Sequence, residues 1–164
     1  MTLILQKLID DRVLAPIHQA FADLVGRLDG RSEPAVSLAA AVVSDQMTRG
    51  HVCFELSCGR EIQFSAGRTN DRAVTYDDWP EIKSWIEVLK ASPAVTVVDC
   101  SDGAEDLRTP LVLDRPLVLH VGPHQHQHQH QLYLARYWYY QQRMARNIAR
   151  RLPAPAPDGN ELNE

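Results

Sequence analysis

Pro34-Ala35-Val36-Ser37-Leu38-Ala39-Ala40-Ala41-Val42-Val43-Ser44 is followed a few residues later by Gly50-His51-Val52-Cys53-Phe54-Glu55-Leu56-Ser57. In the first stretch Val36, Ala39, Ala40, Val43 and Met47 recur at three- and four-residue steps, the spacing of one buried helix face. Pro34 stands where a helix opens, with Ser32 or Glu33 as its cap, and Gly50 is placed to end it. The small run Ala39-Ala40-Ala41 lets a second helix approach closely. In the second stretch Val52, Phe54 and Leu56 alternate with Cys53, Glu55 and Ser57, the period of a half-buried strand. A helix that hands over directly to a strand makes the chain α+β rather than all-helical.

Upstream, Leu5, Leu8 and Ile9 share a helix face that ends near Pro16, because proline disfavours helix at the residue before it. Ile17, Phe21, Leu24, Val25 and Leu28 then form an apolar stripe of period 3.6, which predicts a helix buried along that stripe and closed by Gly30. Downstream, Cys58-Gly59-Arg60 reads as a turn, with Glu61-Ile62-Gln63-Phe64 returning as a partner strand. Asp78-Trp79-Pro80-Glu81 predicts a helix start capped by Asp78, with Trp79, Ile82, Ile86 and Leu89 inward. Strands are expected at Val95–Val98, Pro110–Asp114, Leu117–Val121 and Leu132–Ala135. A last helix runs from about Tyr137 to Leu152, with Trp138, Ala145, Ile148, Ala149 and Leu152 on one face. The expected architecture is an N-terminal bundle of about four helices, a small mostly antiparallel sheet and a C-terminal helix. Residues 1–152 make the domain, and Pro153-Ala154-Pro155-Ala156-Pro157 opens a stiff linker or tail over 153–164.

The chain has 164 residues, 45% hydrophobic and 23% charged, the balance of one packed domain. Its formal charge of −4 argues against a protein that coats nucleic acid indiscriminately, though not against a local basic patch. No apolar run is long enough to span a membrane. The start, Met1-Thr2-Leu3-Ile4-Leu5-Gln6-Lys7, lacks the pattern of a secretory leader. Three sparse cysteines, Cys53, Cys58 and Cys100, suit reduced thiols and a cytoplasmic location. Lysine occurs only at positions 7, 83 and 90, never after a glycine-rich run, so there is no phosphate-cradling loop and no ATP hydrolysis is expected from this chain.

Three clusters carry residue types with chemistry. His124, His126, His128 and His130 alternate with glutamines, so an extended chain would place the imidazoles on one side about 7 Å apart. They read as a low-complexity insertion, with weak binding of zinc, nickel or copper as the alternative. His51, Cys53 and Cys58 are metal-capable, a fourth ligand having to come from Cys100 or elsewhere, or else the cysteines simply pack as small hydrophobes. Finally, Arg136, Arg143, Arg146, Arg150 and Arg151 follow or interleave with Tyr137, Trp138, Tyr139 and Tyr140, and no acidic residue lies between Leu132 and Leu152. Such a segment suits a protein groove or a single nucleic-acid strand, or it is a solvated helix face stabilised at its C-terminal end.

Four blocks in order resemble a known family. Leu14-Ala15-Pro16-Ile17-His18-Gln19-Ala20-Phe21-Ala22, the two stretches quoted at the outset, Thr109-Pro110-Leu111-Val112-Leu113-Asp114, and Gln131-Leu132-Tyr133-Leu134-Ala135-Arg136-Tyr137-Trp138 are similar to the N-terminal region of the exodeoxyribonuclease V alpha subunit, a RecD-type DNA helicase. Residues 115–130 resemble an insertion where that family has a tight turn, and Gln141-Gln142 stands where a glutamate is common. The resemblance implies a domain that lies ahead of an ATP- and magnesium-dependent motor and docks it onto the beta and gamma subunits, the gamma subunit above all. Contact with DNA then comes through the complex, in DNA unwinding, degradation and recombinational repair, without a membrane. The anchors expected for docking are Tyr137, Tyr139 and Tyr140 with Arg143 and Arg146, together with the exposed side of the Val52–Leu56 strand.

Overall fold

A computed structural model describes residues 3–61, 79–100, 114–122 and 130–152. It is α+β: five helices and a four-stranded sheet, the class expected from the sequence. Helix α1 spans Leu3–Asp10, α2 Pro16–Asp29 and α3 Pro34–Thr48. Both α2 and α3 carry proline in the first turn, where its missing N–H costs nothing. Gly30 closes α2 in the left-handed conformation at φ 66°, where a side chain would be strained. Helix α3 is the hub. Val36 and every residue from Leu38 to Val43 are buried, so it is covered all round rather than along the single face that its spacing suggested. Helix α2 crosses it so closely at Gly26 that a Cβ there would stand 2.8 Å from Ser37 Oγ.

The strand after α3 is shorter than expected. β1 is only Phe54–Glu55, Val52 is exposed, and the chain tightens into a 3₁₀ turn over Leu56–Glu61. Leu56 drops into the core at the start of that turn, which ends the extended run. The expected hairpin turn at Cys58-Gly59-Arg60 is therefore part of the 3₁₀ turn, and Ile62–Phe64 lie outside the described residues. β1 pairs instead with a distant strand. Helix α4, Ile82–Ala91, is capped by Glu81, whose carboxylate accepts the Ser84 N–H at 2.8 Å. Asp78, the cap expected from sequence, lies outside the described residues, and Ile82 points largely to solvent rather than inward. Trp79, Trp85, Ile86 and Leu89 are buried as expected, and Trp85 Nε1 donates to the Ala35 carbonyl at 2.9 Å.

β2 is Val95–Asp99, β3 Leu117–Val121 and β4 His130–Leu134, and the sheet order is β1-β4-β3-β2. Two of its three pairings are antiparallel, with Leu132 facing Phe54 on one side and Leu119 on the other, while β2 and β3 run parallel. The strand expected at 110–113 falls outside the described residues. Part of the segment read as an insertion, 117–121, is an inner strand of the sheet, and His130 opens β4. One sheet face, through Phe54, Val95, Leu117, Leu119, Val121 and Leu132, joins the helical core. The other carries a smaller cluster of Val118, Tyr133 and Trp138, flanked by Cys53, Val98 and Ala135. Trp138 belongs to α5, Ala135–Ala149, which lies over that second face by its first two turns.

Candidate functional site

The surface that stands out is the solvent side of α5. The strand β4 runs straight into this helix, and Trp138 pins it to the sheet, its ring 4.9 Å from that of Tyr133 and 5.1 Å from that of His120. Within α5 only Trp138 and Gln142 are buried. Ile148 is 54% exposed, Leu152 65% and Ala149 is exposed too, so of the inward face expected beyond Trp138 only Ala145 is half-buried. The sheet is too short to reach beyond the helix's first half: β4 supplies only five residues. The apolar residues of the second half therefore face water.

Two rows run along this exposed side. Tyr137, Tyr140, Met144, Ile148 and Leu152, at offsets of three or four residues, form a continuous apolar stripe. Beside it lie Arg143, Arg146 and Arg150 with Tyr139, Gln142 and Asn147, which line one shallow groove. A second groove, lined by Tyr140, Arg143, Met144, Asn147, Ile148 and Arg151, joins the stripe to the arginines. At the head of the helix Arg136 Nε donates to the Tyr140 hydroxyl at 3.2 Å, and its guanidinium sits 5.5 Å from the ring centre. That hydroxyl holds the guanidinium further toward its charged form. Of the residues singled out from sequence, Tyr139, Arg143 and Arg146 share the first groove and Tyr140 and Arg143 the second, while Tyr137 lies on the apolar stripe and lines neither. The strand face added to them there is reduced to two residues.

A second exposed stripe was misread from sequence. On α2 the buried residues are His18, Ala22, Val25 and Asp29, while Ile17 is 66% exposed, Leu28 54% and Leu24 44%. The helix is as expected but is rotated about its axis. His18 Nδ1 and Ser44 Oγ share a hydrogen bond of 2.9 Å, and His18 Nε2 lies 3.8 Å from Asp45 Oδ1, itself held by Arg49 Nε at 2.7 Å. Asp29 accepts from Ser92 Oγ at 2.6 Å. These polar partners turn the polar face of α2 inward and leave Ile17, Leu24 and Leu28 outside. The sequence signal was present: His18 and Asp29 lie on the same face as Ala22 and Val25.

The metal-capable residues do not converge. His51 is exposed, Cys53 and Cys58 are half-buried, and Cys100 is buried. Among the described residues no three ligand-type side chains come together. Burial pushes the Cys53 thiol up, only partly offset by a hydrogen bond with Tyr133, so it is a poor source of the thiolate that zinc requires. His124, His126 and His128 lie outside the described residues. Lys7 stands on α1, and Lys83 and Lys90 stand on α4. No described helix is long and apolar enough to cross a membrane.

No curated relative matches the chain. The family model described as RecBCD enzyme subunit RecD, N-terminal domain, matches residues 10–118. That span covers α2, the hub helix α3, α4 and β2, and ends inside β3, so it takes in most of the helical core and leaves nearly all of α1 before it and α5 beyond it. With most of its length and its whole helical hub accounted for in this way, the chain belongs to the RecD N-terminal domain family.

Proposed function

We propose that this chain is a subunit-docking domain of an exodeoxyribonuclease V alpha subunit. The observation that carries the reading is the apolar stripe of α5, where Tyr137, Tyr140, Met144, Ile148 and Leu152 stand in water at helical spacing beside arginines. Large aromatic and aliphatic anchors with an arginine rim have the composition of an interface centre. The occupant is a protein subunit of the same complex, the gamma subunit first and the beta subunit second. ATP and magnesium belong to a motor outside this domain, DNA is reached through the assembled complex, and the setting is the cytoplasm. The chemistry of DNA unwinding and break repair is then the work of the complex, with this domain holding its parts together. The test is co-purification of the chain with separately expressed beta and gamma subunits from the same source. A 1:1 association with gamma is expected. A folded chain that binds neither subunit rejects the reading.

A further inference from the structure

We infer that the arginine groove of α5 is a binding site for a single strand of nucleic acid, next to the apolar docking stripe and sharing Arg143 and Asn147 with the groove that borders it. The groove is lined by Arg143, Arg146 and Arg150, the Tyr139 ring and the side-chain amides of Gln142 and Asn147. It holds no aliphatic anchor; those lie on the neighbouring stripe. A peptide partner draws most of its affinity from apolar anchors, so this groove is poorly made for one. A phosphodiester chain needs what it does contain: guanidinium forks for phosphates, a ring for a base to stack on, and the exposed Asn147 amide for base edges or sugars.

The charge distribution favours the same ligand. Residues 132–152 carry five arginines and no carboxylate, in a chain whose formal charge is −4. No ion pair joins Arg143 or Arg150 to a carboxylate among the described residues. All five cations are arginine, whose planar fork suits phosphate better than a lysine point charge does. Arg143, Arg146 and Arg150 follow one another at three and four residues, so they line one edge of the helix over about 10 Å. Tyr139 is 45% exposed one turn before Arg143, which sets a stacking surface at the end of the cationic row.

The experiment is fluorescence anisotropy of a fluorescein-labelled oligothymidylate against the full chain at pH 8. Saturable binding is expected, with a salt slope near −2 for about three phosphate contacts, hence a roughly fifteen-fold loss from 50 to 200 mM salt. Arg143→Gln with Arg150→Gln should weaken binding at least tenfold and bring the slope to about −0.7. Tyr139→Ala should weaken binding about fivefold or more and leave the slope unchanged, because stacking releases no counterions. Met144→Ser with Ile148→Ser should leave this binding intact while abolishing subunit association, which separates this inference from the docking reading. Circular dichroism melts of each variant confirm that it is folded. Three results overturn the inference: no binding at 50 mM salt, a slope indifferent to the two arginine changes, or equal displacement by polyglutamate at matched charge, which would mark a site for acidic protein.

Discussion

Ser92 Oγ donates to Asp29 Oδ1 at 2.6 Å, with both residues 2% exposed and 63 positions apart in sequence. The same carboxylate accepts the backbone N–H groups of Arg31 and Glu33 at 3.3 and 3.4 Å, and Ser92 Oγ accepts that of Ala94 at 3.1 Å. The Ser92–Asp29 bond thus joins the corner between α2 and α3 to the corner between α4 and β2, and the three backbone N–H groups hold its two side chains in place.

Replacing Asp29 by Ala leaves the Ser92 hydroxyl and two backbone N–H groups without an acceptor. The expected cost is about 2–4 kcal/mol, because unmade buried hydrogen bonds carry their full desolvation penalty. Ser92→Ala should cost about 1–2 kcal/mol. The pair should couple by about 1–2 kcal/mol in a double-mutant cycle followed by urea unfolding. Coupling near zero would show that the two corners are held by something else.

Gly26 tests how close α2 and α3 are. A Cβ at that position would stand 2.8 Å from Ser37 Oγ. Alanine is the better helix former by about 1 kcal/mol, so Gly26→Ala would stabilise an isolated helix. In this chain the gain should vanish or reverse, since the serine must leave its rotamer or α2 must shift. In a Ser37→Ala background the obstruction is gone, and Gly26→Ala should then stabilise by about 0.5–1 kcal/mol. Thermal melts of the four proteins check this. The same effect of Gly26→Ala in both backgrounds would rule out the contact.

His18 gives the fold an acid limit. Burial pulls its imidazole below the ordinary value of 6.5; nearby Asp45 raises it in part, and Arg49 lowers it. The folded chain therefore binds a proton at His18 less readily than the unfolded chain does. Its contribution to stability is complete above pH 6.5 and is lost as the pH falls below that, down through the depressed folded value. Unfolding free energy should drop between pH 7 and pH 5. His18→Gln should be less stable at pH 7.5 by about 1 kcal/mol, through the altered contact with Ser44, yet show a flatter acid arm. Parallel acid arms in the two proteins would exclude His18 as the cause.

What could be read from the sequence was decided by local rules, and what could not was decided by partners far along the chain. The period of α3, the proline starts of α2 and α3, and the strands at Val95, Leu117 and Leu132 are local, and they stand where the spacing put them. The rotation of α2 is not local. It follows from Asp29 meeting Ser92 and from His18 meeting Ser44, contacts across 63 and 26 positions. The apolar stripe was therefore right at Val25, which is buried, and at Phe21, which packs against the core, but not at Ile17, Leu24 and Leu28, which His18 and Asp29 displace to the outside. The cap of α4 is by contrast a local matter: the helix starts at Ile82, so the carboxylate that reaches the Ser84 N–H is that of Glu81, three residues before it. On α5 the aromatic and arginine residues were legible as a surface, but the reach of the sheet beneath them was not. That reach decides that Trp138 is buried while Ile148 is not.

The contrast between Trp138 and Ile148 makes α5 separable into a foot and a free arm. Trp138 is 2% exposed and packs on Tyr133, His120 and Val118, so Trp138→Ala should cost about 3–5 kcal/mol and loosen the helix from the sheet. Met144 and Ile148 are 63% and 54% exposed, so Met144→Ser with Ile148→Ser should change stability by no more than about 0.5 kcal/mol per residue. If the stripe is the interface, the same pair should weaken association with the gamma subunit by about thirtyfold or more, since each buried anchor contributes about 1–3 kcal/mol. Isothermal titration beside a thermal melt reads both quantities on one preparation. An unchanged melting temperature with lost binding assigns the arm to docking. A fall in melting temperature with binding intact would place these side chains in the fold instead and move the interface to another face, for which the exposed Ile17, Leu24 and Leu28 of α2 offer the next apolar stripe.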